Sequence, residues 1–159
     1  MNAIIDPLIA AAVDAFDLKA AILARHAQHP VIVHFPIALF IMSAIFELLA
    51  LWRKQPLLGS VAYFNLLAAA ISIPFTIASG IAAWQWQLEG ATLKGNLLIH
   101  LAFALTTAAI ILLLSWLRHR LRMKNQSPRI AYFVLMAVGL LMITVTGHLG
   151  GILSGVEAP

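Results

Sequence analysis

Four apolar runs, at residues 31–51, 61–83, 97–117 and 130–149, constrain this chain more than any other feature in it. Each is close to the ~20 residues that carry an α-helix across a ~30 Å hydrocarbon layer. No water is present in that layer to satisfy backbone N–H and C=O groups, so each run is expected to be helical. The connections are short, which makes sequential helices antiparallel neighbours. The expected fold is therefore all-α, an integral membrane four-helix bundle. Composition agrees, with 62% hydrophobic and 10% charged residues, against about half and about a quarter in soluble domains.

Residues 1–28 carry Ile4, Ile5, Leu8, Ile9, Ala12, Val13 and Phe16 at helical spacing, with Asp14, Asp17 and Lys19 off that stripe. This segment is expected to be a retained interfacial amphipathic helix, because a cleavable leader needs a basic start and an uninterrupted apolar core. Residues 29–155 form the membrane domain and 156–159 a short tail. The net charge of +4 does not point to nucleic acid, because the basic residues are confined to short loops. Arg53 and Lys54 lie in the first loop, and Arg118, Arg120, Arg122, Lys124 and Arg129 in the third. The second loop has only Glu89 and Lys94. The positive-inside rule places the first and third loops in the cytoplasm and both termini outside, in a multi-pass membrane protein. Trp52 and Trp116 then mark one interface, and Trp84 and Trp86 the other.

The chain has no cysteine. That removes disulfides, thiolate metal sites, iron–sulfur clusters and covalent c-type haem attachment. A metal must be held by His, carboxylate, Met or backbone. His34 and His100 lie about a turn inside the outer ends of the first and third spans, and His148 just inside the outer end of the fourth. Polar side chains in a membrane helix usually face the bundle interior, so these three are the candidate metal ligands. One turn deeper stand Ala38, Ala104 and Thr144, small enough to leave room for a flat ligand. Gly147 joins them as a cofactor-binding candidate and, with Gly151, forms a G-x-x-x-G arrangement. Ala68, Ser72, Thr76 and Gly80 form a further ladder, read as a close-packing face. His26 and His29 are read as interfacial polar groups, and His119 as a solvated loop residue. Pro36 frees a carbonyl near Ile32, and Pro74 frees that of Ala70. Glu47, the one carboxylate within a span, is expected to pair with the basic cluster at 118–122 rather than to relay protons.

His29-Pro30-Val31-Ile32-Val33-His34-Phe35-Pro36-Ile37-Ala38-Leu39, Gly80, His100 and Gly147-His148-Leu149-Gly150-Gly151 together resemble the bacterial membrane family called domain of unknown function 2231. The resemblance covers most of residues 24–155 and implies a four-helix membrane fold. Two positions depart from the family pattern. Ala83, Trp84 and Gln85 stand where an acidic residue is usual, and apolar Phe103-Ala104 stands where an asparagine is usual.

Three functional readings remain open at this point. In the first, two of His34, His100 and His148 are axial ligands of a haem b near the outer face of a b-type cytochrome-like electron carrier. Its partners would be the lipid bilayer, a redox protein or quinone, and further copies of the chain in a homo-oligomer. In the second, the same histidines hold copper or zinc. In the third, the protein is a cofactor-free accessory subunit or transporter component, and the histidines hydrogen-bond carbonyls between helices.

Overall fold

The computed structural model describes residues 28–154. Helices α1 (Gln28–Arg53), α2 (Pro56–Gln87), α3 (Gly95–Met123) and α4 (Ile130–Leu153) contain the four expected runs in order, and the described residues include no strand. At ~1.5 Å per residue the 24 residues of α4 and the 32 of α2 extend about 36 and 48 Å. All four helices therefore outlast the hydrocarbon layer and reach its interfaces. Gln28 opens α1; the rest of the expected interfacial helix, His26 within it, and the tail at 156–159 lie outside the described residues.

Local chemistry explains the turns. Lys54, at φ +53°, and Asn125, at φ +51°, stand in the left-handed conformation that terminates a helix. Pro56 then occupies the first turn of α2, where its missing N–H has no intrahelical partner to lose. Because these connections are tight, α1 lies along α2 and α3 along α4 over much of their lengths. The two hairpins touch each other less, mainly through α2 and α3, and α1 meets α4 at few points.

The hairpins are equivalent by position. Buried residues of α1 match residues of α3 that lie 71 further on: Pro36 with Thr107, Phe40 with Ile111, Ser43 with Leu114, Ala44 with Ser115 and Glu47 with Arg118. The buried positions of α2 match those of α4 at a spacing of 70: Ala62 with Tyr132, Leu66 with Met136, Ala69 with Gly139 and Ile73 with Ile143. The matching extends to backbone and side-chain detail. Lys54 and Asn125 share the positive φ, and the Thr76 and Thr146 hydroxyls each donate to the carbonyl four residues earlier. The two hairpins thus repeat one plan of buried positions.

Phe40, Leu66, Ile111 and Leu114 fill the middle of the bundle, each at most 1% exposed. Gly139 admits the Phe40 ring there. A Cβ at Gly139 would stand 2.9 Å from Phe40 Cζ and 2.9 Å from Ile110 Cγ2. The outward faces carry Val31, Phe35, Leu48, Phe64, Ile71, Phe75, Leu112 and Leu141, which suits lipid as the surrounding medium.

One end of the bundle is basic. Trp52 and Trp116 lie there beneath Arg53 and Arg120, with guanidinium carbons 4.7 and 4.8 Å from the ring centroids. Inside the same end, Arg118 Nε donates to Glu47 Oε1, its Nη2 reaches Oε2 at 3.5 Å, and Nη2 also donates to the Gly59 carbonyl at 3.3 Å. Glu47 is 2% exposed, so the expected partnership of this carboxylate with the 118–122 cluster is realised as a buried ion pair. The other end carries His29, His34, His100 and His148.

Candidate functional site

At the histidine end, each hairpin presents one inward imidazole held in the same way. His29, in the first turn of α1, bonds through Nδ1 to Ser79 Oγ of α2 at 2.8 Å. Ser79 Oγ also lies 2.9 Å from the Thr76 carbonyl, to which it can donate, an arrangement that suits a proton on His29 Nδ1. His100, in the second turn of α3, bonds through Nδ1 to the Thr146 carbonyl of α4 at 3.1 Å. A carbonyl only accepts, so Nδ1 carries the proton here too. In both rings Nδ1 is the nitrogen that bonds to the neighbouring helix, as in a metal-ligating histidine whose second hydrogen bond orients the ring and leaves Nε2 to the metal.

A glycine makes room for each ring. A Cβ at Gly80 would lie 3.2 Å from His29 Cε1, and a Cβ at Gly150 would lie 3.3 Å from His100 Cε1. These glycines are equivalent, 70 residues apart, as His29 and His100 are at 71. His29 and His100 stand on different hairpins at the same end of the bundle. Below them Thr107 and Thr146 share a hydroxyl contact at 3.4 Å, and then the apolar middle of the bundle begins.

Of the three histidines singled out in the sequence, only His100 belongs to this pair. His34 is exposed, and its Nδ1 bonds to the Pro30 carbonyl of its own helix. His148 is exposed on α4. The reason is rotational. At ~100° per residue His34 is turned well away from the His29 to Glu47 stripe, whereas His29 and Glu47, 18 residues apart, fall on one line after five whole turns. His100 and Arg118 have the same separation and the same alignment. This 18-residue spacing from an inward charge is the signal that picks out His29.

The small residues expected beside a ligand are also dispersed. Ala38 and Thr144 are exposed, with the Thr144 hydroxyl donating to the Leu140 carbonyl at 2.9 Å, and Ala104 is half-buried. Gly147 is exposed, and a Cβ built there meets nothing within 4 Å. The glycines that permit close approach are Gly139 and Gly150. In the ladder on α2, Gly80 receives an imidazole rather than a helix backbone. His119 lies in the last turns of α3, at the basic end, where its Nδ1 meets the Tyr63 hydroxyl at 3.0 Å.

These features define a polytopic membrane protein of four helices with an inward pair of imidazoles at one end and a buried ion pair at the other. The chain belongs to the DUF2231 family, described as a predicted membrane protein, whose model matches residues 25–157 and so takes in all four helices and both inward histidines. No curated protein and no solved structure matches it.

Proposed function

We propose that this protein is a membrane-embedded electron carrier of the b-type cytochrome kind, with His29 and His100 as the two axial imidazoles of a haem. The observation that carries the reading is the matched hydrogen bond: each ring bonds through Nδ1 to the neighbouring helix of its own hairpin, so that Nε2 is the nitrogen that would serve as ligand. The donor set fits haem better than copper or zinc. Among the described residues no three His or carboxylate side chains gather at one point, and a tetrahedral zinc site takes at least three protein ligands. Haem iron takes two axial ligands, and a non-covalent haem needs no cysteine.

Haem bound there supplies one-electron chemistry. The chain's own residues hold the site: Ser79 and Thr146 orient the rings, and Gly80 and Gly150 give them space. The charge bias of the basic loops supports a reading in which that end is cytoplasmic, in a bacterial inner membrane, and the histidine end lies outside. An external redox protein, or quinol at the outer interface, is then the natural exchange partner.

The test is a reduced-minus-oxidised absorption spectrum of detergent-purified protein from haem-replete cells, for which sharp α and β bands and a shifted Soret band are expected. One observation favours a second, cofactor-free reading. The His29–Ser79 and His100–Thr146 bonds each join two helices of one hairpin, as structural histidines do. A colourless protein would select that reading.

A further inference from the structure

The duplicated plan raises a pairing problem that the buried charges solve. The two hairpins pack against each other through similar inner faces: His29 and His100 at one level, Phe40 and Ile111 in the middle, small residues at Ala69 and Gly139. The Phe40 ring fits against Gly139, where the equivalent Ala69 would present a Cβ, so packing favours unlike pairing by the space of one methyl group. Glu47 and Arg118 add a stronger discrimination. They occupy the same place in the two plans, they carry opposite charge, and they meet.

We propose that the Glu47–Arg118 pair selects unlike hairpins within one chain and excludes like hairpins of two chains. Like pairing of first hairpins would bring two Glu47 carboxylates together in the dry interior, and like pairing of second hairpins would bring together two Arg118 guanidiniums. Either arrangement buries like charge at short range, which is strongly unfavourable. The unlike pairing neutralises both, and Gly59 gives Arg118 a further acceptor. A buried ion pair adds little net stability over apolar side chains of similar size, so selection of partner and register is the role its position fits.

The chain's lack of cysteine permits a direct test in the full-length protein. Ala44→Cys places a single thiol in the buried stripe one turn before Glu47 (Ala44 is 4% exposed). In the correctly paired chain two such thiols from different molecules cannot meet. Ala44→Cys alone is expected to give no inter-chain disulfide on oxidation. Adding Glu47→Leu and Arg118→Leu together is expected to retain protein in the membrane but to convert a substantial fraction into disulfide-linked dimer. Glu47→Arg alone is expected to deplete folded protein several-fold, and Glu47→Arg with Arg118→Glu to recover yield above either single reversal, without cross-linking. A Leu/Leu protein that stays free of inter-chain disulfide overturns the proposal. So does loss of the Leu/Leu protein from the membrane, which would make the pair a support of the fold rather than a selector. A double reversal no better than the single ones also overturns it.

Discussion

Two glycines of α4, eight residues apart, should respond to the same substitution with opposite sign. At Gly139 an added methyl group stands 2.9 Å from both Phe40 Cζ and Ile110 Cγ2 and 3.1 Å from Phe40 Cε1. Phe40 is 0% exposed, so its ring has nowhere to retreat without displacing the middle of the bundle. Overpacking of this kind costs about 1–3 kcal/mol. Against it stands a gain of about 0.5–1 kcal/mol when Ala replaces Gly inside a helix. Gly139→Ala is therefore expected to destabilise by about 1 kcal/mol, and by no more than about 2.5 kcal/mol, and Gly139→Leu by more. At Gly147 the same methyl meets nothing within 4 Å, so only the helix-propensity gain remains and Gly147→Ala should stabilise slightly. Thermal unfolding of both variants in one detergent, followed by circular dichroism, gives the comparison. A rise at Gly147 with a fall at Gly139 is expected. Shifts of equal sign would refute the close approach of α1, α3 and α4 at Gly139.

Three further outcomes follow from the same geometry. Reporter fusions after Lys54 and Lys124 should signal cytoplasm and one after Gly90 the outside, and an external signal at Lys124 would invert the orientation assigned to the histidine end. Ser79→Ala removes the acceptor that fixes the His29 tautomer; loss of such an outer partner typically weakens metal affinity 10–100-fold, readable as accelerated haem loss to apomyoglobin, and an unchanged rate would discount that bond. Phe40→Ala opens a cavity at the point where both hairpins meet, and lost packing on the order of 3–5 kcal/mol should lower the unfolding midpoint more than any outward Leu→Ala change such as Leu141→Ala, which lipid refills; equal midpoints would contradict the central position of Phe40.

The four helices are legible in the sequence because hydropathy over ~20 residues is a local property and the membrane allows only one local answer to it. Glu47 was legible for a related reason: a carboxylate at that depth has few partners, and the 118–122 cluster lies at the same level. The histidine pair was not. Depth singles out His34, whereas the facing of a helix depends on its rotation, fixed by Phe40 against Gly139 and by Glu47 against Arg118, contacts that join residues up to about a hundred positions apart. The duplication was hidden because equivalence is carried by burial and contact rather than identity. Phe40 matches Ile111, Ala62 matches Tyr132, and a carboxylate matches a guanidinium. Gly147 was singled out by the G-x-x-x-G spacing, but spacing alone does not say which face of α4 turns inward, and Gly139, Ile143 and Gly150 define that face instead.

The proposed haem site requires both His29 and His100 as ligands, and the optical and electron paramagnetic resonance spectra of purified wild-type protein and single histidine variants address that most directly. Wild-type protein is expected to show a low-spin ferric signal of bis-imidazole type. His29→Ala and His100→Ala should each lose it, and His34→Ala, His148→Ala and His119→Ala should each keep it. Retention of the low-spin signal in both His29→Ala and His100→Ala, or its loss in His34→Ala or His148→Ala alone, would contradict the pairing.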